Sequence, residues 1–282
     1  MSICRQDFDG RYRSKLHDRF SSHRRLLALT CSLSGVQRVL DVGCGSGHVG
    51  GALAALGYSV VGMDPDADPS RLRALGYKEV YRLDIEQEEL PPATAFDLII
   101  FGDILEHLRD PDRVLDRTRC WLVPGGRILI SVPNVAHWTV RLSLLTGHFP
   151  AYNRGILDRS HLRFFTLDSA KRLVEAAGFQ IEHVEVTPIP LPLLCAATGE
   201  GRPLAILQTM NAAITRCWKR LLGYQILILA SLIREGQSGE QHRVVSFVPQ
   251  LANSHGCPRD SEGTGKGEEG EEDLTGRRVG DR

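Results

Sequence analysis

The chain has 282 residues, 42% of them hydrophobic, and its 34 Lys and Arg balance 34 Asp and Glu. That is enough apolar mass for one sizeable core and an accessory element, and a net charge of zero gives no case for a nucleic-acid or membrane partner. Seven cysteines stand singly with no C-x-x-C spacing, which excludes a disulfide framework or zinc site and leaves buried free thiols in a reducing compartment.

The first residues contain no apolar leader, and the longest apolar run, 226–233, is far short of a membrane span. A cytoplasmic protein without a transmembrane segment is therefore expected. Residues 1–38 hold eight Lys and Arg against three acids, which reads as a solvated helix face. Leu16, Phe20, Leu26, Leu27 and Leu29 recur among those charges and predict a helix over 14–32. From residue 38 the pattern changes. Short β-rich runs at 38–42, 59–64, 79–83, 96–102 and 127–132 alternate with helical stretches near 48–56, 69–75, 111–122 and 166–177. Several runs are apolar throughout, as in parallel strands covered on both faces. Asp110 before Pro111 predicts a helix start, Thr166 a cap, Gly178 a stop, and Gly125-Gly126 a turn into the next strand.

Two later strands follow at 179–186 and 224–232. Between them, residues 188–223 open with Pro188, Pro190 and Pro192 and continue into a helix near 203–222, with Leu204, Leu207, Ala212, Ile214, Trp218 and Leu221 on one side. This insert reads equally as a lid or as an extra core-packing helix. Beyond 233 the chain turns polar, with disorder expected from about 252 and an edge strand conceivable at 242–250. The expected architecture is α/β: a Rossmann-like, doubly wound, mostly parallel seven-stranded sheet with helices on both faces. An N-terminal helical segment (1–36) precedes a main domain (37–233) that carries the insert, and a polar tail (234–282) follows.

The stretch "VLDVGCGSG" at 39–47 carries the chemistry. Its glycines, Gly43, Gly45 and Gly47, follow G-x-G-x-G; the dinucleotide fingerprint would need a glycine where His48 stands. Asp41 lies just before the first glycine, where a pyrophosphate would be repelled and a cation welcomed. S-adenosylmethionine carries a sulfonium and an ammonium and no phosphate. Downstream, Asp64 (followed by Pro65) ends one strand, in position to accept both ribose hydroxyls, and Asp84 follows another, where it could accept from the adenine amino group. "FGDILEHL" brings Gly102, Asp103 and His107 to the same edge of the sheet.

With "VVGMD", "YRLDI", "FDLIIFGDILEHLRDP" and "LVPGGRILISVPN", this turn resembles the class I S-adenosylmethionine-dependent methyltransferases over about residues 36–187. The resemblance implies that Asp41, Gly43 and Gly45 lie along the methionine moiety, that Asp64 takes the ribose, and that Asp84 with Ile85 takes the adenine. Cys44, Gly47, Pro65, Gly102, Asp103 and His107 complete the expected cofactor site. "SVPNVAHWTVRLSLLTGHFP" and "GILDRSHLRFFT" are similar to a bacterial subgroup related to ubiquinone-biosynthesis O-methyltransferases, and the first segment also to MetW-type proteins. Members of that subgroup often act on small molecules or cell-envelope glycans.

Methyl transfer from an activated donor needs alignment, exclusion of water and, for a hydroxyl acceptor, a base. His161 in "DRSHLRFF" is the first candidate, its pKa expected to be lowered by Arg159 and Arg163; His137 is the second. Arg154, Arg159 and Arg163 could clamp an anionic group. Trp138, Phe149 and Phe164 read as core packing before pocket walls. No metal-ligand cluster stands out. The expectation is methyl transfer to oxygen on a small molecule: a sugar, a quinone or phenol, or a lipid-linked glycan. The alternative is a MetW-like regulatory partner that binds the cofactor without transfer. NAD chemistry is opposed by Asp41 and the glycine spacing. Oligomeric state is left open.

Overall fold

The computed structural model describes residues 16, 18–91, 94–190 and 202–233. Seven strands form one sheet: β1 Arg38–Val42, β2 Ser59–Met63, β3 Glu79–Tyr81, β4 Phe96–Gly102, β5 Leu122–Pro133, β6 Phe179–Thr187 and β7 Gln225–Leu232. Their order is β3-β2-β1-β4-β5-β7-β6. All neighbours pair in parallel except β7, which runs antiparallel to both β5 and β6. The sheet is therefore mixed but mostly parallel, as the alternating pattern implies.

Alternate side chains along each strand feed two cores. Leu40, Ile99, Ile128 and Ala230 stand in register across four strands and join Phe101 and Ile130 on one face. Helices α4 (Pro111–Thr118) and α6 (Leu167–Ala176) cover that face through Val114, Leu115, Leu173 and Val174. Val39, Leu98, Ile100 and Leu129 point the other way, against α1 (Ser22–Ser32), α2 (His48–Ala55) and α3 (Pro69–Ala74). Leu26 and Leu27 of α1 lie inside this second core, so the N-terminal helix is part of the main domain's packing.

Local chemistry sets the boundaries. Asp110 caps α4 by accepting from the Arg113 amide, with Pro111 as its first residue. Thr166 and Ser169 close a capping box on α6, and Gly178 follows at φ +81°. Other boundaries differ from expectation. The first helix starts at Ser22, because Asp18 accepts from the Phe20 amide in a turn and Ser21 then caps. β5 starts at Leu122 and runs through Gly125-Gly126, which bend the strand where its register against β4 shifts. Helix α5, Trp138–Leu145, was not anticipated. The insert forms α7, Arg202–Cys217, and a turn-length α8, Lys219–Leu222, interrupted at Trp218. Cys44 is buried, but Cys31, Cys120 and Cys217 are exposed, correcting the picture of buried thiols. The expectations for 234–282 lie outside the described residues, in which no helix is long and apolar enough to cross a membrane.

The strand order reverses between β1 and β4, where one chain crossover runs to each side. In open α/β sheets this reversal is where ligands bind, outside the carboxyl ends of the strands. Phe101 of β4 is fully buried. Truncating Phe101→Ala should cost about 3–5 kcal/mol in urea unfolding. Leu145→Ala, at 84% exposure, should stay within about 0.5 kcal/mol. Equal effects would contradict the described packing.

Candidate cofactor and acceptor site

Gly43 leaves β1 at φ +66° and its amide donates to the Met63 carbonyl of β2 (2.8 Å). A Cβ there would sit 2.6 Å from Ile104, so only glycine lets the turn pass beneath that side chain. Gly45, at φ +45°, differs: a Cβ would meet nothing nearer than the Gly43 carbonyl, at 3.9 Å. The space above Gly45 is open. Gly47 stands as the N-cap of α2. Asp64 closes the turn, one carboxylate oxygen accepting from the Gly45 amide (2.9 Å) and the other from Asp66 (2.8 Å).

Asp41 does not face this open space with free oxygens. It is 5% exposed and accepts hydrogen bonds from the Tyr77 hydroxyl (2.6 Å) and the Gly50 amide. Burial raises its pKa to about 6, against the lowering effect of those bonds. Cys44 also turns inward. Its thiol packs with Tyr77 over Gly62, and burial raises its pKa far from reactivity. Only its backbone is left for a ligand. Tyr77, 3% exposed, was missed by sequence reasoning; nothing in "GYKEV" marks a tyrosine that will hydrogen-bond an acid in β1.

Farther along the edge, Asp84 opens a turn, accepting from the Glu86 amide (2.9 Å) and the Gln87 side chain (2.6 Å). Ile85 is 6% exposed and packs into the core, where adenine contact was expected. Pro65 is exposed beside Asp64. Gly102 ends β4, and Asp103 follows at φ +57°, the one non-glycine positive φ among the described residues. Its amide donates to the Ser131 carbonyl (3.1 Å) and its carboxylate accepts from the Ser131 hydroxyl. Strain held in place by a neighbouring strand is common where side chains must be aimed.

The histidines divide by tautomer. His107 Nδ1 lies 3.1 Å from the Ser160 carbonyl, and His161 Nδ1 lies 3.0 Å from the Ile156 carbonyl. A carbonyl only accepts, so both Nδ1 atoms carry protons and both Nε2 atoms are acceptors in the neutral rings. The rings meet edge to face at 4.9 Å. Burial lowers the His161 pKa. The expected cause, flanking arginines, is wrong: Arg159 and Arg163 bend away to the carbonyls of Ala151 and Arg109. Neither is then posed as an anion clamp. Glu106, His107 and His161 bring one donor atom each within 4.8 Å of one another, a cluster hidden in the sequence because His161 lies in a later loop.

His137 has the opposite polarity. It caps α5, its Nδ1 accepting from the Thr139 amide (3.4 Å) with the Thr139 hydroxyl at 2.8 Å. The proton then sits on Nε2, which is buried without a partner among the described residues, and burial lowers the pKa to about 4. That makes His137 a neutral donor at pH 7 and corrects its candidacy as a base. Tyr224, also missed, stands 5.7 Å from the His137 ring, and its hydroxyl lies 3.1 Å from where a Gly155 Cβ would be. Trp138, Phe149 and Phe164 are 43%, 54% and 42% exposed, which corrects the core-packing expectation. Phe149 and Phe164 meet edge to face at 5.7 Å, and the Trp138 ring lies 5.9 Å from that of His137.

The raised Asp41 pKa has a consequence for stability. The folded value of about 6 exceeds the unfolded value of about 4. The folded state thus keeps a proton that the unfolded chain releases, and stability falls as pH rises from about 4 through 6. Above that window the buried charge costs the fold about 3 kcal/mol. Asp41→Asn should therefore stabilise the unliganded protein at pH 8, by on the order of 1–3 kcal/mol in urea unfolding, with the gain shrinking toward pH 4. A difference independent of pH would contradict this.

The sequence model of a family described as a methyltransferase domain matches residues 12–184. The ubiquinone biosynthesis O-methyltransferase of Bradyrhizobium sp. (strain ORS 278) is 35% identical over 115 residues, covering 39% of this chain and 45% of its own. The protein of that name from Aeromonas salmonicida (strain A449) is 29% identical over 153 residues, covering 51% and 63%. The chain thus spans about half the length of the curated relatives it matches. Among solved structures, a SAM-dependent methyltransferase from Archaeoglobus fulgidus aligns over 77% of this chain and 97% of that one, with TM-score 0.52 and 20% identity. The 1,6-didemethyltoxoflavin-N1-methyltransferase of Burkholderia thailandensis, solved with S-adenosylhomocysteine, covers 78% and 82%, with TM-score 0.51 and 18% identity. These two share the fold. The family match extends over more than half of the sequence, and the chain belongs to the methyltransferase-domain family.

Proposed function

We propose that the chain methylates a hydroxyl oxygen of a small acceptor, with His161 as the base. The observation that carries this reading is the Nδ1–H bond from His161 to the Ile156 carbonyl, which leaves Nε2 as a proton acceptor at the carboxyl edge of the sheet. The glycine turn and the strand ends beside it suit S-adenosylmethionine. Open space above Gly45 leaves room for it, and Asp64 and Asp84 offer carboxylate oxygens at the ends of successive strands. When bound, the cofactor supplies a methyl group activated on a sulfonium.

The chain's own residues do the rest. Asp64 accepts from the ribose hydroxyls and Asp84 from the adenine amino group. Asp41, beneath the turn, contributes a negative field toward the cationic methionine end. His161 takes the hydroxyl proton on Nε2 as oxygen attacks. The exposed aromatic side chains of Trp138, Phe149 and Phe164 favour an aromatic hydroxyl, a phenol or quinol, over a free sugar. The named ubiquinone biosynthesis O-methyltransferases support that direction.

A labelled-methyl transfer screen over phenols, sugars and lipid-linked glycans tests the acceptor. Transfer to none of them, with the cofactor bound, would favour the partner-protein alternative. On an active acceptor, His161→Ala should lower turnover by about tenfold or more while cofactor affinity stays constant; unchanged turnover removes His161 from the chemistry. Because a bound cation favours ionised Asp41, S-adenosylmethionine affinity should weaken as pH falls through about 6. Calorimetry at pH 5 and pH 8 reads this directly, and Asp41→Asn should flatten the dependence.

A further inference from the structure

Two segments far apart in the sequence meet just past the end of β4. Leu105–His107 form a single turn there, and His161 sits in the loop between α5 and α6. Backbone contacts tie the turn to the loop. The Glu106 carbonyl accepts from the Leu162 and Arg163 amides (2.8 and 3.0 Å), and the Ser160 carbonyl meets His107 Nδ1 at 3.1 Å. Glu106, His107 and His161 thereby bring one donor atom each within 4.8 Å of one another. Proton removal by His161 uses neither the Glu106 carboxylate nor the His107 ring.

The polarity of both rings suits a cation. A metal binds the unprotonated nitrogen of a neutral imidazole, and the other ring nitrogen of such a ligand usually donates to a carbonyl or carboxylate that fixes its orientation. His107 and His161 both have this arrangement. Each Nδ1–H is held by a backbone carbonyl, Ser160 in one case and Ile156 in the other, so each lone pair is on Nε2. Glu106 is 1% exposed, and a cation beside a buried carboxylate offsets the cost of burying its charge.

The ligand set selects the ion. Two imidazoles and one carboxylate favour zinc and its first-row neighbours over magnesium or calcium, which prefer oxygen ligands throughout. Ligand atoms bonded to zinc at about 2.0–2.2 Å stand about 3.3 Å apart. Closing from 4.8 Å to that spacing asks for shifts of about 1 Å at each side chain. Three protein ligands leave a fourth tetrahedral position for water.

We propose that Glu106, His107 and His161 form a binding site for a divalent transition-metal ion such as zinc. The binding stands apart from the methyl-transfer reading, but one consequence rests on it. The lone pair on His161 Nε2 holds a metal or a proton, not both. A bound ion therefore removes the base proposed above, and transfer becomes sensitive to zinc.

The test is calorimetric titration of the full chain with zinc chloride, without cofactor or acceptor. Zinc should bind saturably, and magnesium at least about a hundredfold more weakly. His107→Gln and His161→Gln should each weaken zinc binding by at least about tenfold. His148→Gln, at an exposed histidine outside the cluster, should leave it unchanged. Two single variants keep the test decisive if one of them misfolds, which thermal melts of the zinc-free proteins read. Cys31, Cys120 and Cys217 are exposed and could also take zinc. Cobalt separates the two sources: in the cluster its spectrum lacks a thiolate charge-transfer band and survives alkylation of the thiols. Three outcomes overturn the proposal: no zinc binding, equal binding by the wild-type chain and both cluster variants, or a cobalt spectrum that alkylation abolishes. On an active acceptor, zinc should lower turnover by at least about tenfold, and a chelator should restore it. Zinc that binds in the cluster and leaves turnover intact would uphold the metal site and overturn His161 as the base.

Discussion

The donor half of the site depends on one buried pair, the Asp41 carboxylate and the Tyr77 hydroxyl (2.6 Å). A carboxylate enclosed between a strand and a helix would be costly without donors. Tyr77 supplies one from the far side of α3, and the ring it brings fixes its surroundings. A Cβ at Gly50 would lie 2.1 Å from the Tyr77 hydroxyl, and one at Gly62 would lie 3.1 Å from its ring. Glycine within α2 costs about 1 kcal/mol against alanine; here it is the condition for seating the phenol. Asp41, Gly50, Gly62 and Tyr77 thereby tie β1, α2, β2 and the end of α3 together beneath the glycine turn.

On the acceptor side the governing quantity is the direction of protons. His161 and His137 lie in segments of similar composition, yet one presents an acceptor nitrogen and the other a donor. The difference comes from what each Nδ1 touches: a carbonyl in one case, a backbone amide in the other. Only the first of them is accessible: His161 is partly exposed, whereas His137 is 1% exposed and keeps its Nε2–H inside the fold. The turn around Glu106 keeps His161 in place, since its carbonyl accepts from the amides of Leu162 and Arg163 and so docks the His161 loop onto the end of β4.

What the sequence made legible follows from range. β1 and β4 match their expected bounds because continuous apolar runs beside a glycine turn or a polar break are local signals. The caps at Asp110 and Thr166 are local too. α5 went unread because "WTVRLSLL" mixes β-branched residues with leucines at no clear period, and its start depends on a histidine acting as cap. Tyr77, Tyr224 and the meeting of His107 with His161 depend on residues far apart in the chain. The arginines beside His161 show the same limit: adjacency was visible, but the direction of their side chains was set by carbonyls on other segments.

The insert shows why a hydrophobic stripe alone does not tell inside from outside. Leu207, Ile214, Trp218 and Leu221 share one side whether that side meets the core or the solvent. A periodic pattern establishes that a helix has two faces and leaves their orientation to the partners. Here the polar face finds the Ile189 carbonyl on its own domain, so the apolar face must look outward.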